Sequence, residues 1–464
     1  MSINKHIEQQ SKSNQENNNA QNPRVTWEGC SVLLDINDGD RLAFARLTIG
    51  SALKIGNKQC PLQSLIGCAF GSLFQVENGK EGPFLSRIPS NSEGNDLQDQ
   101  GDSQTVDVSK DNRALVDNNM AQSLTEVEIE ELKRQGVSGS EIVGALIANS
   151  ATFDKKTSFS QEKYRLKKQK KYAPRVLLRR PFARSICETY FKKNPEKIGW
   201  LRIDSLSLLL SMANVTANSD VLVVDLLGGM LTGAVAERLG GTGSVCNTHH
   251  GVSPYPIDIV RIFNFTDEIC KRIVHASLSD LSVSGEHSVE SNQPEDLCNA
   301  TKQSNEDVVC DTSNDHSNSM EEIRITPEDE VLPEKPTSQD KQQPRKAVQA
   351  GQKATSEIMN LWRENGFSSL IVAAPNLDAW SIVKELLPLL SFSAPFAIYH
   401  QHSEPLAACM RNLQHEKMAI GLQIIEPYMR EYQVLPSRTH PHMQMSAFGG
   451  YILSGIKICP FEKN

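Results

Sequence analysis

The chain has 464 residues, with 48 Lys or Arg against 56 Asp or Glu, and so carries a formal net charge of −8. Its apolar fraction of 39% lies below the roughly 45–50% of compact domains, so part of the chain is not expected to pack. No run approaches the roughly 20 apolar residues of a membrane-spanning helix, and the first residues lack the apolar core of a secretory signal. The ten Cys include no C-x-x-C pair, which argues against a zinc site or a disulfide scaffold and fits a reducing compartment.

The charge is distributed unevenly along the chain. Residues 155–184 contain twelve Lys or Arg and one acidic residue, whereas residues 276–340 contain sixteen Asp or Glu and three basic residues. The acidic stretch is rich in Ser, Asn, Pro and Glu and has no helical or strand periodicity, which predicts a disordered insert over 275–351. Similar composition predicts a disordered tail over 1–23 and a disordered linker over 89–110.

The first folded block covers residues 24–88. Short apolar runs alternate there with Asp-Gly and Asn-Gly turn signals. This pattern is typical of short antiparallel strands. It predicts an N-terminal β-rich domain, a small barrel or sandwich.

The second block, residues 111–194, is predicted to be helical and basic. Thr125 and Glu128 have the spacing of a capping box, and Gly136 is expected to end that helix. A second helix is expected to begin near Ser140, with Ile142 and Leu146 on its apolar stripe.

A lysine-rich run follows within this block. Four of its lysines fall at the spacing of one helix face: Lys163, Lys167, Lys170 and Lys171. Three aromatic residues are interleaved: Phe159, Tyr164 and Tyr172. Like charges on one face destabilise an isolated helix, and lysines among aromatic residues are typical of phosphate binding combined with base stacking. A solvated helix face and a nuclear-import signal remain as alternative interpretations.

Residues 195–274 and 352–460 alternate apolar strand-like runs with amphipathic helices. This alternation predicts a parallel sheet wrapped by helices, and two final strand-like runs predict an antiparallel pair that closes it. We therefore predict a Rossmann-like α/β domain, which the acidic insert interrupts.

A strand that leads through glycines into a helix is where such a fold binds a nucleotide. Methyltransferases of this topology have an acidic residue and three spaced glycines after the first strand. Here the loop reads DLLGGML, with Asp225 as the acid, Gly229 as the retained glycine, and Leu227 and Leu231 at the two other glycine positions. A β-carbon at a left-handed position costs about 1–3 kcal/mol, and leucine also fills ligand space. The next strand-like run, SVCNTHH, lacks the acid that would hold the ribose. The sequence predicts a closed cofactor pocket.

Three segments carry a specific resemblance: VTWEGCSVLLDINDGDR, the long stretch from DNRALVDNN to SFSQEKYRLKKQKKY, and YQVLPSRTHPHMQMSAFGGYILSG. They resemble the non-catalytic, tRNA-binding subunit of the eukaryotic tRNA (adenine(58)-N(1))-methyltransferase. The likeness covers residues 24–88, 111–274 and 352–458. It departs at SAFGG, where relatives have a longer glycine run.

The resemblance implies a fold, a partner subunit and a cellular location. The fold is an N-terminal β-barrel-like domain with a C-terminal Rossmann-like methyltransferase domain that has lost catalysis. The partner is a paralogous catalytic subunit that binds S-adenosylmethionine, in a heterotetramer of two heterodimers. This chain would bind no cofactor itself, and the complex would methylate N1 of the T-loop adenine of tRNAs in the nucleus.

The resemblance also implies tRNA contacts in four segments. They match Asn112, Arg113, Lys155, Lys156, Thr157, Lys163, Lys167, Lys168, Lys170, Lys171, Tyr172, Arg430, Gln433, Ser437, Arg438, Thr439 and His440.

Two other function classes remain open from the sequence: a stand-alone S-adenosylmethionine-dependent RNA methyltransferase, and a translation-initiation scaffold. The H-x-H pairs at 400–402 and 440–442 are interpreted as strand-end or loop histidines, and no metal site is predicted.

Overall fold

The computed structural model describes residues 24–79, 82–89, 122–282, 349–434, 439–444 and 448–459. The predicted tail lies outside these residues, as do nearly all of the predicted linker and most of the predicted insert. None of the described helices has both the length and the hydropathy needed to cross a membrane.

The N-terminal part begins with six strands. They are β1 (Ser31–Ile36), β2 (Arg41–Arg46), β3 (Ala52–Ile55), β4 (Lys58–Pro61), β5 (Leu73–Gly79) and β6 (Gly82–Arg87). The β1–β2 turn has three successive residues at positive φ, Asn37, Asp38 and Gly39, which Asn, Asp and Gly tolerate better than other residues. The Oδ1 of Asp35 accepts the N–H of Gly39 at 2.6 Å and fixes this turn.

Three helices and a strand follow: α1 (Glu126–Arg134), α2 (Gly139–Ala148), α3 (Ser158–Tyr172) and β7 (Arg175–Arg179). The predicted capping box is confirmed, because Thr125 and Glu128 each bond the other's backbone N–H. Helix α2 has a capping box of its own, between Ser138 and Glu141, and starts slightly before the expected Ser140. Helix α3 passes into β7 through only two residues.

Strand β7 lies at the centre of the N-terminal sheet, whose order is β2-β1-β7-β5-β6. It pairs antiparallel with β1, where Leu34 faces Leu178, and with β5, where Phe74 faces Val176. The sheet is therefore completed by a strand from the predicted helical and basic segment, outside the predicted 24–88 domain. Strands β3 and β4 form a separate ribbon, and closure into a barrel stays a prediction.

The remaining elements build the second sheet, its helices and a separate two-stranded ribbon of β15 and β16. The helices are α4 (Ala183–Lys193), α5 (Ile203–Met212), α6 (Met230–Leu239), α7 (Asp267–Arg272), α8 (Leu278–Ser282), α9 (Ser356–Asn365), α10 (Ala379–Leu386) and α11 (Ser403–His415). The strands are β8 (Asp220–Asp225), β9 (Ser244–His249), β10 (Ile273–Ser277), β11 (Gln352–Lys353), β12 (Ser369–Ala373), β13 (Pro395–His400), β14 (Ala419–Ile425), β15 (Tyr432–Gln433), β16 (His440–Pro441) and β17 (Tyr451–Lys457).

The eight-stranded sheet has the order β11-β10-β9-β8-β12-β13-β17-β14. Pairing is parallel from β11 to β13, and β17 lies antiparallel between β13 and β14. Because β8 is buried on both faces, its side chains alternate between two cores: Val221 and Val223 lie in one, Leu222 and Val224 in the other. The prediction of a Rossmann-like parallel sheet closed by an antiparallel pair is confirmed.

The start of the predicted acidic insert needs a correction. Residue 275 lies inside β10, and α8 continues the ordered chain to Ser282. The polar residues His275 and Ser277 leave β10 without a recognisable strand pattern. Its pairing with β9, in which Val274 faces Cys246, is what makes it a strand.

Candidate functional site

The acid of the glycine loop is enclosed. Asp225 ends β8 and has no exposed surface. One carboxylate oxygen accepts the backbone N–H of Leu227 at 2.8 Å, and the other accepts the backbone N–H and the hydroxyl of Thr232 at 2.7 and 2.8 Å. Burial raises the pKa of Asp225 although these donors favour its charged form. Asp225 thus fastens the loop to the start of α6.

The two leucines close the loop by their volume. Leu227 and Leu231 are both fully buried in the core on that side of the sheet. The Cδ2 atom of Leu227 lies so near Gly199 that a β-carbon there would approach it to 2.7 Å. The positive-φ positions in this loop are Gly228 and Gly229. Neither leucine is at positive φ, so the expected strain is absent and the closure comes from packing alone.

The retained glycine is covered as well. A β-carbon on Gly229 would lie 2.7–2.9 Å from the Cα, carbonyl carbon and Cβ of Ile257. The carbonyl of Gly228 accepts the N–H of Ile259 at 3.0 Å. The glycine backbone that would approach a nucleotide is therefore packed against residues 257–259. The residues present here do not fit S-adenosylmethionine.

The basic helix α3 presents part of the predicted lysine face to solvent. Lys163, Lys167 and Lys171 are exposed. Lys170 differs, because its ammonium bonds the carboxylate of Asp40 at 2.8 Å and ties the helix to the β1–β2 turn. The four lysines of the predicted face therefore share one helix, and three of them can reach an anion on the solvent side.

Two of the three interleaved aromatic residues are covered. The Tyr164 ring has the ammonium groups of Lys156 and Lys168 at 5.0 and 5.2 Å from its centroid. The Tyr172 ring packs on the small core of α1 and α2. It also lies 5.3 and 5.7 Å from the ammonium groups of Lys171 and Lys133. These cation–π contacts hold the lysines close to the two half-buried rings, and base stacking on them stays a prediction.

The other predicted contacts lie elsewhere in the chain. Exposed Lys155 precedes α3, and the hydroxyl of Thr157 caps that helix by accepting the N–H of Ser160. Arg430 lies just before a short hairpin in which Gln433 pairs with His440, and Thr439 adjoins that hairpin. Four predicted contacts lie outside the described residues: Asn112, Arg113, Ser437 and Arg438.

Sequence reasoning missed several residues that shape these sites. Ile257 closes the glycine loop, Asp40 holds Lys170, and Arg202 grips the segment before the hairpin. Each acts on a residue far away in the chain. No local spacing signals such contacts.

Comparison with known proteins gives consistent results. Residues 27–309 match the Gcd10p family. The chain is 34% identical over 443 residues to the tRNA (adenine(58)-N(1))-methyltransferase non-catalytic subunit trm6 of Dictyostelium discoideum, which covers 95% of this chain and 81% of that one. It is 30% identical over 454 residues to the subunit of the same description from Mus musculus, covering 91% and 88%.

Among solved structures, the chain is similar to the tRNA (m1A58) methyltransferase TrmI of Aquifex aeolicus. The TM-score is 0.42 and the identity 11%, over 94% of this chain and 99% of the other.

Proposed function

Since the chain belongs to the Gcd10p family, we propose that it is the non-catalytic subunit of a tRNA (adenine(58)-N(1))-methyltransferase and that it binds the tRNA. The observation that carries the proposal is the combination of a closed glycine loop and an exposed basic helix. Leu227 packs on Gly199 and Ile257 covers Gly229, the glycine whose backbone a methyl donor would have to approach. Lys163, Lys167 and Lys171, in contrast, are exposed to solvent. The methyl transfer itself falls to a catalytic partner that binds S-adenosylmethionine.

The basic helix has the properties that tRNA binding in this reaction requires. N1 of the T-loop adenine is buried in the tRNA elbow, so a methyl donor reaches it only when the T- and D-arms separate. Lysine ammonium groups on a rigid helix bind phosphates without reading sequence. We infer that the subunit holds the elbow open while its partner transfers the methyl group.

The assembly and its place in the cell are part of the same proposal. A non-catalytic subunit needs a catalytic one, and we propose a heterotetramer of two heterodimers that works in the nucleus. Mass photometry of the purified endogenous complex tests the stoichiometry, and fractionation of cells tests the location. A one-to-one complex, or a complex confined to the cytoplasm, would contradict the corresponding part.

The dependence of tRNA affinity on salt concentration tests the proposed phosphate contacts. If about six phosphates are neutralised, log K should fall against log[salt] with a slope of about −4 to −5. The measurement is fluorescence anisotropy of labelled, unmodified tRNA with the complete complex. Binding that barely responds to salt would contradict the proposal.

Titration of the isolated chain with S-adenosylmethionine separates this proposal from a stand-alone methyltransferase. We expect no heat of binding for this chain and normal binding for the complex. A micromolar dissociation constant for the chain alone would favour the rival activity.

A further inference from the structure

A segment between the last two strands of the large sheet carries the C-terminal group of predicted tRNA contacts. We call its described residues, 427–434, 439–444 and 448–449, the arm. Its centre is the β15–β16 hairpin, extended by a hydrogen bond of 2.9 Å from the His442 N–H to the Glu431 carbonyl. The arm exposes large side chains, among them Tyr428 and Tyr432. Such a segment needs anchors at its ends if it is to present a fixed surface.

The first anchor is a buried arginine. Arg202, at the start of α5, is 5% exposed. Its Nε and Nη2 donate to the two carboxylate oxygens of Asp204, each at 2.7 Å, and Nη2 also donates to the carbonyl of Pro427 at 2.9 Å. The planar guanidinium is fixed by the carboxylate. It thereby holds the arm's first residue.

The second anchor is on the same helix. The hydroxyl of Ser205 donates to the carbonyl of Gly449 at 2.6 Å, in a buried position. A β-carbon on Gly449 would lie 2.9 Å from Nε and Cζ of Arg202 and 3.1 Å from the Ser205 hydroxyl. The arm's last residue therefore has to be glycine for its backbone to lie against the guanidinium. One turn of α5 holds both ends of the arm.

We propose that Arg202, with Ser205, is a positioning device that fixes the arm in the orientation that binds tRNA. The inference rests on the proposed tRNA-binding function and assigns a role to residues outside the predicted contacts. Burying a charged arginine is costly unless its donors are used. Here Nη2 of Arg202 donates to the arm's backbone at Pro427, and the hydroxyl of Ser205 binds the opposite end of the arm at Gly449. Contacts that served core stability alone would have no need to bind both ends of the exposed arm.

The test uses the complete complex with its catalytic partner. Arg202→Lys keeps the charge but cannot reproduce the two-pronged contact together with the Pro427 bond. Gly449→Ala disturbs the same contact from the arm side. Arg238→Lys is the control for the loss of an arginine–backbone hydrogen bond at an exposed position, because Arg238 donates to the carbonyl of Val215 at 2.9 Å elsewhere in the same domain. Each variant is measured for tRNA affinity, retention of the partner and thermal unfolding.

We expect Arg202→Lys and Gly449→Ala to weaken tRNA binding about tenfold, the effect of removing one charge-assisted hydrogen bond. Amide exchange should accelerate in the peptide that contains His442. Partner retention and the affinity of Arg238→Lys should stay at the level of the unmodified chain.

A double-mutant cycle separates positioning from general destabilisation. If Arg202 acts through the arm, combining Arg202→Lys with Arg430→Ala should weaken binding little more than the stronger single change. Combination with Lys167→Ala on the basic helix should give the product of the two single effects. The proposal would be overturned if, in both cycles, the double variant weakened binding by the product of the two single effects. Dissociation of the partner from the Arg202→Lys complex would also overturn it.

The cycle also distinguishes this inference from the proposed function. If Arg430→Ala and Lys167→Ala weaken binding while Arg202→Lys and Gly449→Ala do not, the positioning role is wrong and the tRNA grip stands. If none of the four changes alters affinity, the proposed tRNA grip fails too.

Discussion

At the scale of single residues, Leu227 decides whether the glycine loop could be reopened. Leu227→Gly restores the residue type expected at that position, but it removes a fully buried side chain from the core. We expect the free energy of unfolding to fall by about 3–5 kcal/mol, because the surroundings collapse only partly into such a cavity. We expect no gain of S-adenosylmethionine binding, since Ile257 still covers Gly229. Denaturant unfolding and calorimetric titration of this variant measure the two effects, and binding of the cofactor would show that one side chain alone closes the site.

Asp225 offers a complementary prediction at the same scale. Asp225→Asn replaces one acceptor oxygen by an amide that faces the N–H donors of Leu227 or Thr232. We expect the free energy of unfolding to fall by about 2–3 kcal/mol, the cost of leaving buried donors unpaired. The affinity of the complex for S-adenosylmethionine should not change. The control is Asp258→Asn, an exposed carboxylate paired with Arg261, which should be nearly neutral. A drop in cofactor affinity with Asp225→Asn would contradict a purely structural role.

At the scale of elements, the basic helix should act through charge. Replacing Lys163, Lys167 and Lys171 together with Ala should reduce the salt slope of tRNA binding by about two, because each phosphate that is no longer neutralised contributes about 0.7–0.9. A matched variant replaces three exposed lysines on other elements, Lys54, Lys192 and Lys271. Anisotropy titrations across a range of salt concentrations compare the two. If both variants change the slope equally, general charge rather than the helix attracts the tRNA.

The same helix shows what sequence alone can and cannot predict. Local periodicity is enough to predict the element, and the cap of α1 is predictable because Thr125 and Glu128 lie three residues apart. The pairing of Lys170 with Asp40 joins residues 130 positions apart, and no local pattern reports it. The contacts of the Lys156 and Lys168 ammonium groups with the Tyr164 ring cannot be predicted from the sequence either. They depend on the path of the chain before α3 and on the conformations of the two lysine side chains.

Strand placement follows the same physical rule. The parallel sheet was predictable because strands such as β8 and β12 are continuous apolar runs, which burial on both faces requires. The place of β7 was not, because Leu178 pairs with Leu34, 144 residues earlier, and Val176 with Phe74, 102 residues earlier. The glycine loop was predicted to be closed from its leucines. The sequence did not predict that Ile257 also covers this loop at Gly229, because Ile257 lies in a segment without a recognisable motif.

At the scale of the whole molecule, the edge of the large sheet should meet the catalytic partner. Ile420 on the edge strand β14 is 55% exposed and faces Ile456, which is 40% exposed, across the β14–β17 pair. Contiguous exposed apolar side chains mark interaction sites. A non-catalytic subunit needs a partner to cover such a surface.

A charge placed on this edge tests the assignment. Ile420→Asp should abolish co-purification of the catalytic subunit, because an unpaired carboxylate would have to be buried in the interface. The stability of the chain itself should change by no more than about 0.5 kcal/mol, as for surface substitutions generally. The matched control is Ile49→Asp, an isoleucine 72% exposed in the N-terminal part, which should leave the complex intact. If Ile420→Asp retains the partner while Ile49→Asp releases it, the interface lies on the N-terminal part, and the large sheet's edge is free for another role.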